Sequence, residues 1–237
     1  MAPLISAHRG SCGVAGLPAA ERYDRAIRLG VDYVELDVRC TADGVYINYH
    51  DDVTPSHRST GSLSLKDLRA ELGAELLTLE EVLGVVADRA GLHIDLKEPG
   101  SEAAIVRAVI AHRPVKGFVV TTGDVESIRT IKAQFPNVRA GLTLGTDMRN
   151  AHALATFSER WSELLPGARL RRSHADFVAA HQQIARIRLL AYCARRRMDA
   201  WVWTVDEERE IARFMADRRV ATLVTNRPDL ALRFKSA

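Results

Sequence analysis

Acidic side chains alternate within two short apolar runs of the sequence. Glu35 and Asp37 lie two residues apart in one run, as do Asp95 and Lys97 in another. Because successive side chains of a β-strand point to opposite faces, each pair is expected on one side of its strand. Three neighbouring carboxylates repel one another unless a cation lies among them, and oxygen ligands favour Mg²⁺, Ca²⁺ or Mn²⁺ over zinc. Glu35, Asp37 and Asp95 are therefore predicted to bind one divalent cation.

Two histidines and two cationic side chains complete the candidate site. His8 and Arg9 follow the first apolar run, and His50 follows the third. The pKa of histidine lies near neutrality, so two histidines on separate elements suit a general base and a general acid, with His8 as the preferred base. Arg9 and Lys97 are predicted to bind a phosphoryl group, whose charge redistributes during reaction. The expected chemistry is metal-assisted hydrolysis of a phosphate ester.

Each of these residues also has a simpler interpretation. His8 could be a core histidine, and Asp95 with Lys97 could be an ion pair of little energetic value at a surface. Trp203, near the end of a later run, is assigned to the substrate-lining surface, with packing in the core as its alternative. The joint pattern favours a site, because chance rarely places such groups at the ends of successive strands in a chain of this length.

Strand-like and helical patterns alternate along nearly the whole chain. Several helical patterns begin and end with capping residues, such as Thr78-Leu-Glu-Glu81 at one start and Gly30 at one end. About eight strand–helix units of roughly 30 residues indicate a closed TIM (β/α)8 barrel, whose chemistry lies at the carboxyl ends of its strands. A doubly wound open sheet is the alternative, but its G-x-G-x-x-G loop does not follow the first run. The predicted fold class is α/β, a single barrel domain over residues 1–237.

The strand-like runs outnumber the strands of such a barrel by one. Asp43-Gly44, a tight-turn signal between two of them, accounts for the extra run if residues 33–50 fold back as a β-hairpin. Whether they form a hairpin or separate strands, this segment is expected to bring Glu35, Asp37 and His50 close together. The runs are Leu4–Ala7, Tyr33–Arg39, Val45–Tyr49, Leu92–Leu96, Phe118–Thr121, Ala140–Leu144, a weaker one near Ala175–Ala180, Trp201–Val205 and Thr222–Thr225.

The overall composition is that of an ordinary globular chain. The 237 residues are 47% hydrophobic and 27% charged, and the net charge of +3 is too small to mark a nucleic-acid-binding protein. Local arginine clusters are interpreted as solvated surface, with binding to a polyanion or a membrane surface as a distant alternative. Three cysteines without metal-ligand spacing indicate a reducing compartment, and no signal peptide or membrane-spanning segment is predicted. The expected location is the cytoplasm, and no oligomeric state is predicted.

Taken in order, the motifs resemble those of the glycerophosphodiester phosphodiesterases, a family of phospholipase C-like barrels. The resemblance implies a TIM barrel that binds one divalent cation and cleaves glycerophosphodiesters to an alcohol and sn-glycerol 3-phosphate. It assigns the metal to Glu35, Asp37 and Asp95, acid/base catalysis to the two histidines, and phosphate binding to the two cations. The likeness extends from about Leu4 to Phe234 and is carried by His8-Arg9-Gly10, Glu35-Leu-Asp37-Val, Asp43-Gly44, His50-Asp51, Thr78-Leu-Glu-Glu-Val-Leu83, Asp95-Leu-Lys97, Trp203-Thr-Val-Asp206 and Val224-Thr-Asn-Arg-Pro-Asp229.

Three features depart from the family's pattern. The Pro-Glu-Asn-Thr motif that usually follows His-Arg-Gly is replaced by Gly16-Leu-Pro-Ala19, which removes polar groups from a loop beside the site. Asp95 occupies a position that is usually glutamate, so the affinity for the metal is in question more than binding itself. The sequence between His50 and Leu76 is short, and the choice of alcohol group is therefore not implied by the resemblance.

Two alternative functions stay open at this point. One is a lysophospholipase D-type activity on acylated substrates, and the other is a barrel of the same family that binds metal and phosphate without turnover. Residues 146–175 bear on the first alternative. Trp161, Leu164 and the arginines within 169–172 are interpreted as an amphipathic helix packed on the barrel, with a lid over a lipid-like substrate as the alternative.

Overall fold

The computed structural model of the chain describes residues 2–145 and 167–235. Within these ranges β1 pairs with both β2 and β9, so eight parallel strands close into a barrel and the predicted TIM barrel is confirmed. The ninth strand, β3, lies outside the barrel against β2. The strands are β1 (Leu4–Ala7), β2 (Tyr33–Cys40), β3 (Tyr46–Asn48), β4 (Gly91–Leu96), β5 (Phe118–Thr122), β6 (Arg139–Leu144), β7 (Phe177–His181), β8 (Asp199–Trp203) and β9 (Thr222–Thr225).

Helices cover the outside of the barrel. Two of the capping signals predicted from sequence are confirmed: Thr78 and Glu81 form a reciprocal capping box, and Gly30 ends the first helix in the left-handed conformation. The helix predicted over 149–164 lies outside the described residues. The described helices are α1 (Ala19–Leu29), α2 (Leu65–Leu72), α3 (Leu79–Val86), α4 (Glu102–His112), α5 (Val125–Gln134), α6 (Gly167–Ser173), α7 (Gln182–Ile184, a π-helical turn Ala185–Leu189 and Leu190–Arg196), α8 (Glu208–Ala216) and α9 (Pro228–Lys235).

The extra strand belongs to a β-hairpin, as expected. β2 and β3 pair antiparallel with Val38 opposite Asn48, and the left-handed Gly44 lies in the turn between them. The chain then makes an excursion through α2 before it returns to α3. This excursion packs on β3 through a small core of its own, made of Ile47, Leu63, Leu68 and Leu76.

The barrel interior is filled by aromatic side chains in its amino-terminal half. The rings of Tyr33 and Phe177 lie 5.2 and 4.8 Å from the ring of Trp201. Gly141 makes this packing possible, since a Cβ atom there would lie 2.4 Å from the ring of Phe177. The polar side chains of the same strands are therefore left in the carboxyl-terminal half, where barrel chemistry takes place.

Strand register brings the acidic residues together. β2 and β4 are parallel neighbours, with Asp37 opposite Asp95 and Glu35 opposite His93. On the other side of β4, Asp95 is opposite Thr121 of β5. Because parallel strands keep equivalent residues level, the three carboxylates occupy adjoining inward positions of two strands.

None of the described helices combines the length and the hydrophobicity that crossing a bilayer requires.

Candidate active site

Three carboxylates form the acidic centre of the barrel mouth. One oxygen of each of Glu35, Asp37 and Asp95 lies within 4.8 Å of the others. Glu35 and Asp37 are buried, at 3% and 2% exposure. Oxygen donors at this spacing are the ligands that Mg²⁺, Ca²⁺ and Mn²⁺ prefer. The donor set therefore fits a hard divalent cation.

Two cationic side chains neutralise part of this charge. The Lys97 ammonium lies 2.8 Å from Asp37 Oδ1 and 2.6 Å from Asp95 Oδ2, and Arg9 Nε lies 2.8 Å from Asp37 Oδ2. Burial alone would raise the pKa of Asp37, but the charges of Lys97 and Arg9 outweigh it and lower that pKa to about 2. For Lys97 the carboxylates likewise outweigh burial and raise the pKa of the ammonium group. Asp37 and Lys97 are thus held in their charged forms.

The negative charge of Glu35 is compensated only in part. Its Oε2 accepts a hydrogen bond from the backbone N–H of Arg9 at 2.7 Å. Burial, followed by the negative charges of Asp37 and Asp95, raises the pKa of Glu35 well above its ordinary value. A buried carboxylate that resists ionisation beside two others is a group that a bound cation would stabilise in its charged form. The unfavourable ionisation of the buried Glu35 therefore supports the fit of these three carboxylates to a metal ion.

The backbone that carries His8 and Arg9 is left-handed at two successive residues. Arg9 has φ 50° and Gly10 has φ 64°. The Gly10 position leaves no room for a side chain, because a Cβ atom would lie 2.7 Å from the buried ring of Tyr23. Tyr23 in turn donates its hydroxyl hydrogen to the carbonyl oxygen of Glu35 at 3.0 Å. The His-Arg-Gly turn is therefore fixed against the strand that bears the acidic centre.

Gly10→Ala is expected to destabilise the chain more than Gly16→Ala. Both glycines have positive φ, which costs an alanine about 1–2 kcal/mol. Only Gly10 adds a steric clash, worth about 1–3 kcal/mol more, since nothing lies within 4 Å of a Cβ atom at Gly16. Urea unfolding of the two variants measures the difference. Equal midpoints would show that contact with Tyr23 does not constrain the turn.

A hydrogen-bond chain fixes the tautomer of His8. Asn226 donates through Nδ2 to the carboxylate of Asp206 at 2.7 Å, so its Oδ1, 2.9 Å from His8 Nδ1, must accept. His8 therefore carries its hydrogen on Nδ1 and keeps a lone pair on Nε2. Burial and the neighbouring Arg9 charge lower the pKa of His8 below 6.5. His8 is thus neutral near pH 7 with one nitrogen ready to accept a proton.

His50 is held differently from His8. Its Nδ1 lies 2.7 Å from the carboxylate of Asp51, which accepts the hydrogen and leaves Nε2 for other contacts. Arg39 donates through Nε to the His50 carbonyl oxygen at 3.0 Å and also contacts Glu98 at 3.3 Å. The His50 backbone is therefore tied to β2 beyond the end of the hairpin ladder.

A third histidine, His93, lies beneath the carboxylates. Its two ring nitrogens contact the hydroxyls of Ser6 and Thr121, at 3.2 and 2.9 Å. Its ring also packs edge-on against Trp201, with centroids 4.9 Å apart. Burial lowers the pKa of His93 to about 4. This histidine is a neutral part of the barrel interior.

The structure brings all eight residues singled out from the sequence into one cavity of about 930 Å³. Trp203 lines it beside His181, and its indole Nε1 is buried without a hydrogen-bond partner among the described residues. The cavity is also lined by polar residues that sequence reasoning gave no role. Among them are Arg39, His93, Thr121 and Asn226. Asn226 had a signal in the sequence, since it follows the last strand within a motif already noted.

One loop noted in the sequence lies outside this cavity. Gly16 to Ala19 are not among the described residues that line the cavity, and they lead into α1. Most of the segment 146–175 lies outside the described residues. Its described end, α6, packs against the barrel, where Arg169 donates to the Gly123 carbonyl oxygen at 2.8 Å.

A closed (β/α)8 barrel whose mouth combines a carboxylate cluster, two histidines and two cationic side chains suits the hydrolysis of phosphate esters. The chain belongs to the Glycerophosphoryl diester phosphodiesterase family, because the sequence profile of that family matches residues 8–230. It is therefore a phosphoric diester hydrolase, and the resemblance noted in the sequence is confirmed.

Individual relatives agree with this assignment. A glycerophosphodiester phosphodiesterase of Caldanaerobacter subterraneus subsp. tengcongensis is 24% identical over 250 residues, which cover 97% of this chain and 96% of the relative. Two solved structures share the fold. A glycerophosphodiester phosphodiesterase from Thermotoga maritima has a TM-score of 0.73 at 20% identity and covers 100% of this chain and 99% of its own. An Oleispira antarctica phosphodiesterase in complex with the product sn-glycerol-3-phosphate has a TM-score of 0.75 at 18% identity, with coverage of 100% and 98%.

Proposed function

We propose that this chain hydrolyses glycerophosphodiesters to an alcohol and sn-glycerol 3-phosphate, with one divalent cation as cofactor. The observation that carries the proposal is the arrangement of the buried carboxylate cluster beside His8, whose Nε2 is free to accept a proton. Family membership supports the reaction class, and the product complex of the Oleispira antarctica neighbour supports the substrate. The substrate is a small molecule, and we propose no nucleic-acid partner.

Glu35, Asp37 and Asp95 are the proposed ligands of the cation, which is Mg²⁺, Ca²⁺ or Mn²⁺. When bound, the cation supplies a positive charge that polarises a phosphoryl oxygen. Arg9 and Lys97 bind the remaining phosphoryl oxygens. The Arg9 side chain is 42% exposed while its Nε pairs with Asp37, so the rest of the guanidinium group can reach a substrate.

The two histidines move the protons. His8 Nε2 takes a proton from water, or from a hydroxyl of the substrate's glycerol, and the oxygen left behind attacks phosphorus. His50 donates a proton through Nε2 to the alcohol oxygen as the bond between that oxygen and phosphorus breaks. The Nδ1–H of His50 remains hydrogen-bonded to the Asp51 carboxylate. Attack by the glycerol hydroxyl would give a cyclic phosphate that water then opens, whereas attack by water gives the product directly. Trp203 lines the substrate and offers its indole N–H as a donor.

We also propose that residues 1–237 form one barrel domain and that the enzyme works in the cytoplasm. Among the described residues, the first proposal is supported by the eight parallel strands, which close into one barrel. The second is supported by the three cysteines, Cys12, Cys40 and Cys193, which are free thiols as expected in a reducing compartment.

Removal of the metal is expected to abolish release of sn-glycerol 3-phosphate, and metal addition to restore it. The test uses glycerophosphocholine and glycerophosphoethanolamine with protein stripped by EDTA, followed by Mg²⁺, Ca²⁺ or Mn²⁺ in turn. Activity that survives complete stripping would contradict the metal assignment. If folded protein releases no product with any metal, lysophosphatidylcholine separates the two alternatives: cleavage indicates lysophospholipase D-type activity, and inactivity indicates a barrel that only binds.

The pH dependence of kcat/KM should report the lowered pKa of His8. A general base must be neutral to accept a proton, and the pKa of His8 lies below 6.5 because of burial and Arg9. The acidic limb of the profile should therefore have its midpoint below 6.5. A bound cation near His8 would lower the pKa of His8 further. Rates measured at a fixed saturating metal concentration test this. A midpoint at or above 6.5 would contradict the assignment of this limb to a His8 whose pKa is lowered.

A further inference from the structure

A buried line of hydrogen bonds connects β1, β4 and β5 to one of the proposed metal ligands. Ser6 Oγ lies 3.2 Å from His93 Nδ1, and His93 Nε2 lies 2.9 Å from Thr121 Oγ1. Thr121 then donates to Asp95 Oδ1 at 2.6 Å. Ser6, His93 and Thr121 are 0%, 4% and 1% exposed, so water does not compete for these contacts.

The direction of each hydrogen bond follows from the number of hydrogens available. Thr121 has one hydroxyl hydrogen and gives it to the Asp95 carboxylate, so its oxygen can only accept from His93 Nε2–H. His93 Nδ1 is then left to face the Ser6 hydroxyl. The ring also packs edge-on against the buried Trp201, which restricts its rotation. Each donor in the line therefore has one available orientation.

We propose that Thr121 and His93 are positioning residues that set the orientation of the Asp95 carboxylate for the metal. This inference rests on the proposed function, in which Asp95 is a ligand. The two oxygens of the Asp95 carboxylate are held separately, Oδ1 by Thr121 and Oδ2 by Lys97. Groups that orient a metal ligand typically contribute 10–100-fold to metal affinity, by an order-of-magnitude estimate.

The test compares two pairs of variants by titration of the metal-free protein with Mn²⁺, with free Mn²⁺ measured by electron paramagnetic resonance and no substrate present. Thr121→Val removes the hydroxyl and should weaken Mn²⁺ binding by roughly 10–100-fold, whereas Thr121→Ser keeps it and should bind like the wild type. His93→Leu should weaken binding in the same direction. His93→Gln places an amide N–H near the former Nε2 and should recover part of the loss.

The outcomes separate this inference from the proposed function. Wild-type protein that binds no Mn²⁺ would overturn both. Wild-type binding that is matched by Thr121→Val and His93→Leu would overturn the positioning role alone. Melting temperatures in EDTA show whether each variant is folded. If Thr121→Ser loses Mn²⁺ binding as Thr121→Val does, the loss is due to packing and contradicts the inference.

Discussion

Replacing His8 with alanine should lower kcat by roughly 10²–10⁴-fold while leaving the barrel folded. His8 offers Nε2 as a proton acceptor because Asn226 fixes its hydrogen on Nδ1. His50→Ala should have an effect of the same size through loss of the general acid. Steady-state rates at saturating metal, with release of sn-glycerol 3-phosphate as the readout, measure both effects.

The histidine variants need a control for the loss of any imidazole. His112 is exposed at the end of α4, far from the carboxyl ends of the strands, so His112→Ala should keep full activity. Thermal unfolding identifies variants that lose activity by misfolding. Near-full turnover by folded His8→Ala would remove His8 from the mechanism, and the same result for His50→Ala would remove His50.

Replacing Glu35 with glutamine should have opposite effects on activity and on the stability of the metal-free chain. The amide keeps the shape of the side chain and an oxygen for the Arg9 N–H, but it removes one of three crowded charges. Loss of a metal ligand should lower activity by at least about 100-fold. The melting temperature in EDTA should rise, because burial and the two aspartates make ionised Glu35 costly.

The sign of the stability effect follows from the pKa of Glu35. A carboxyl whose pKa is raised in the folded chain stabilises that chain while protonated, and the benefit is lost as pH rises through the raised pKa. The advantage of Glu35→Gln in EDTA should therefore grow with pH. Added Mn²⁺ should raise the melting temperature of the wild type much more than that of the variant. Glu80→Gln, at an exposed position, is the matched control. A metal-free variant less stable than the wild type at every pH would contradict crowding of the carboxylates.

The barrel and the acidic centre could be predicted from sequence because both depend on short-range patterns. Alternation within one strand placed Glu35 with Asp37, and the rule that barrel sites lie at strand ends brought them to Asp95. The hairpin followed from the two residues Asp43-Gly44. In each case the information lies within a few neighbouring residues.

The supporting hydrogen bonds could not be predicted, because they depend on strand register between distant segments. Asp206 orients Asn226 for His8, and His93 contacts Thr121. Both contacts form only once the barrel fixes which residues of neighbouring strands lie side by side. The helix α2 was also missed. The sequence did hold a signal for it, since Leu65, Leu68 and Leu72 have helical spacing and Ser64 caps its start, but these leucines serve the small separate core beside β3.

The contact between His8 and Asn226 has a consequence for the order in which the site assembles. These residues are 218 positions apart, whereas the carboxylates and Lys97 all come from the first half of the chain. Contacts of such long sequence separation form late, since loop closure costs entropy before it gains contacts. During synthesis on the ribosome, β2 and β4 emerge long before β9 can pair with β1. On the proposed assignments, the nascent barrel would acquire its cation ligands well before its general base is oriented, and hydrolysis would become possible only after the last strand pairs.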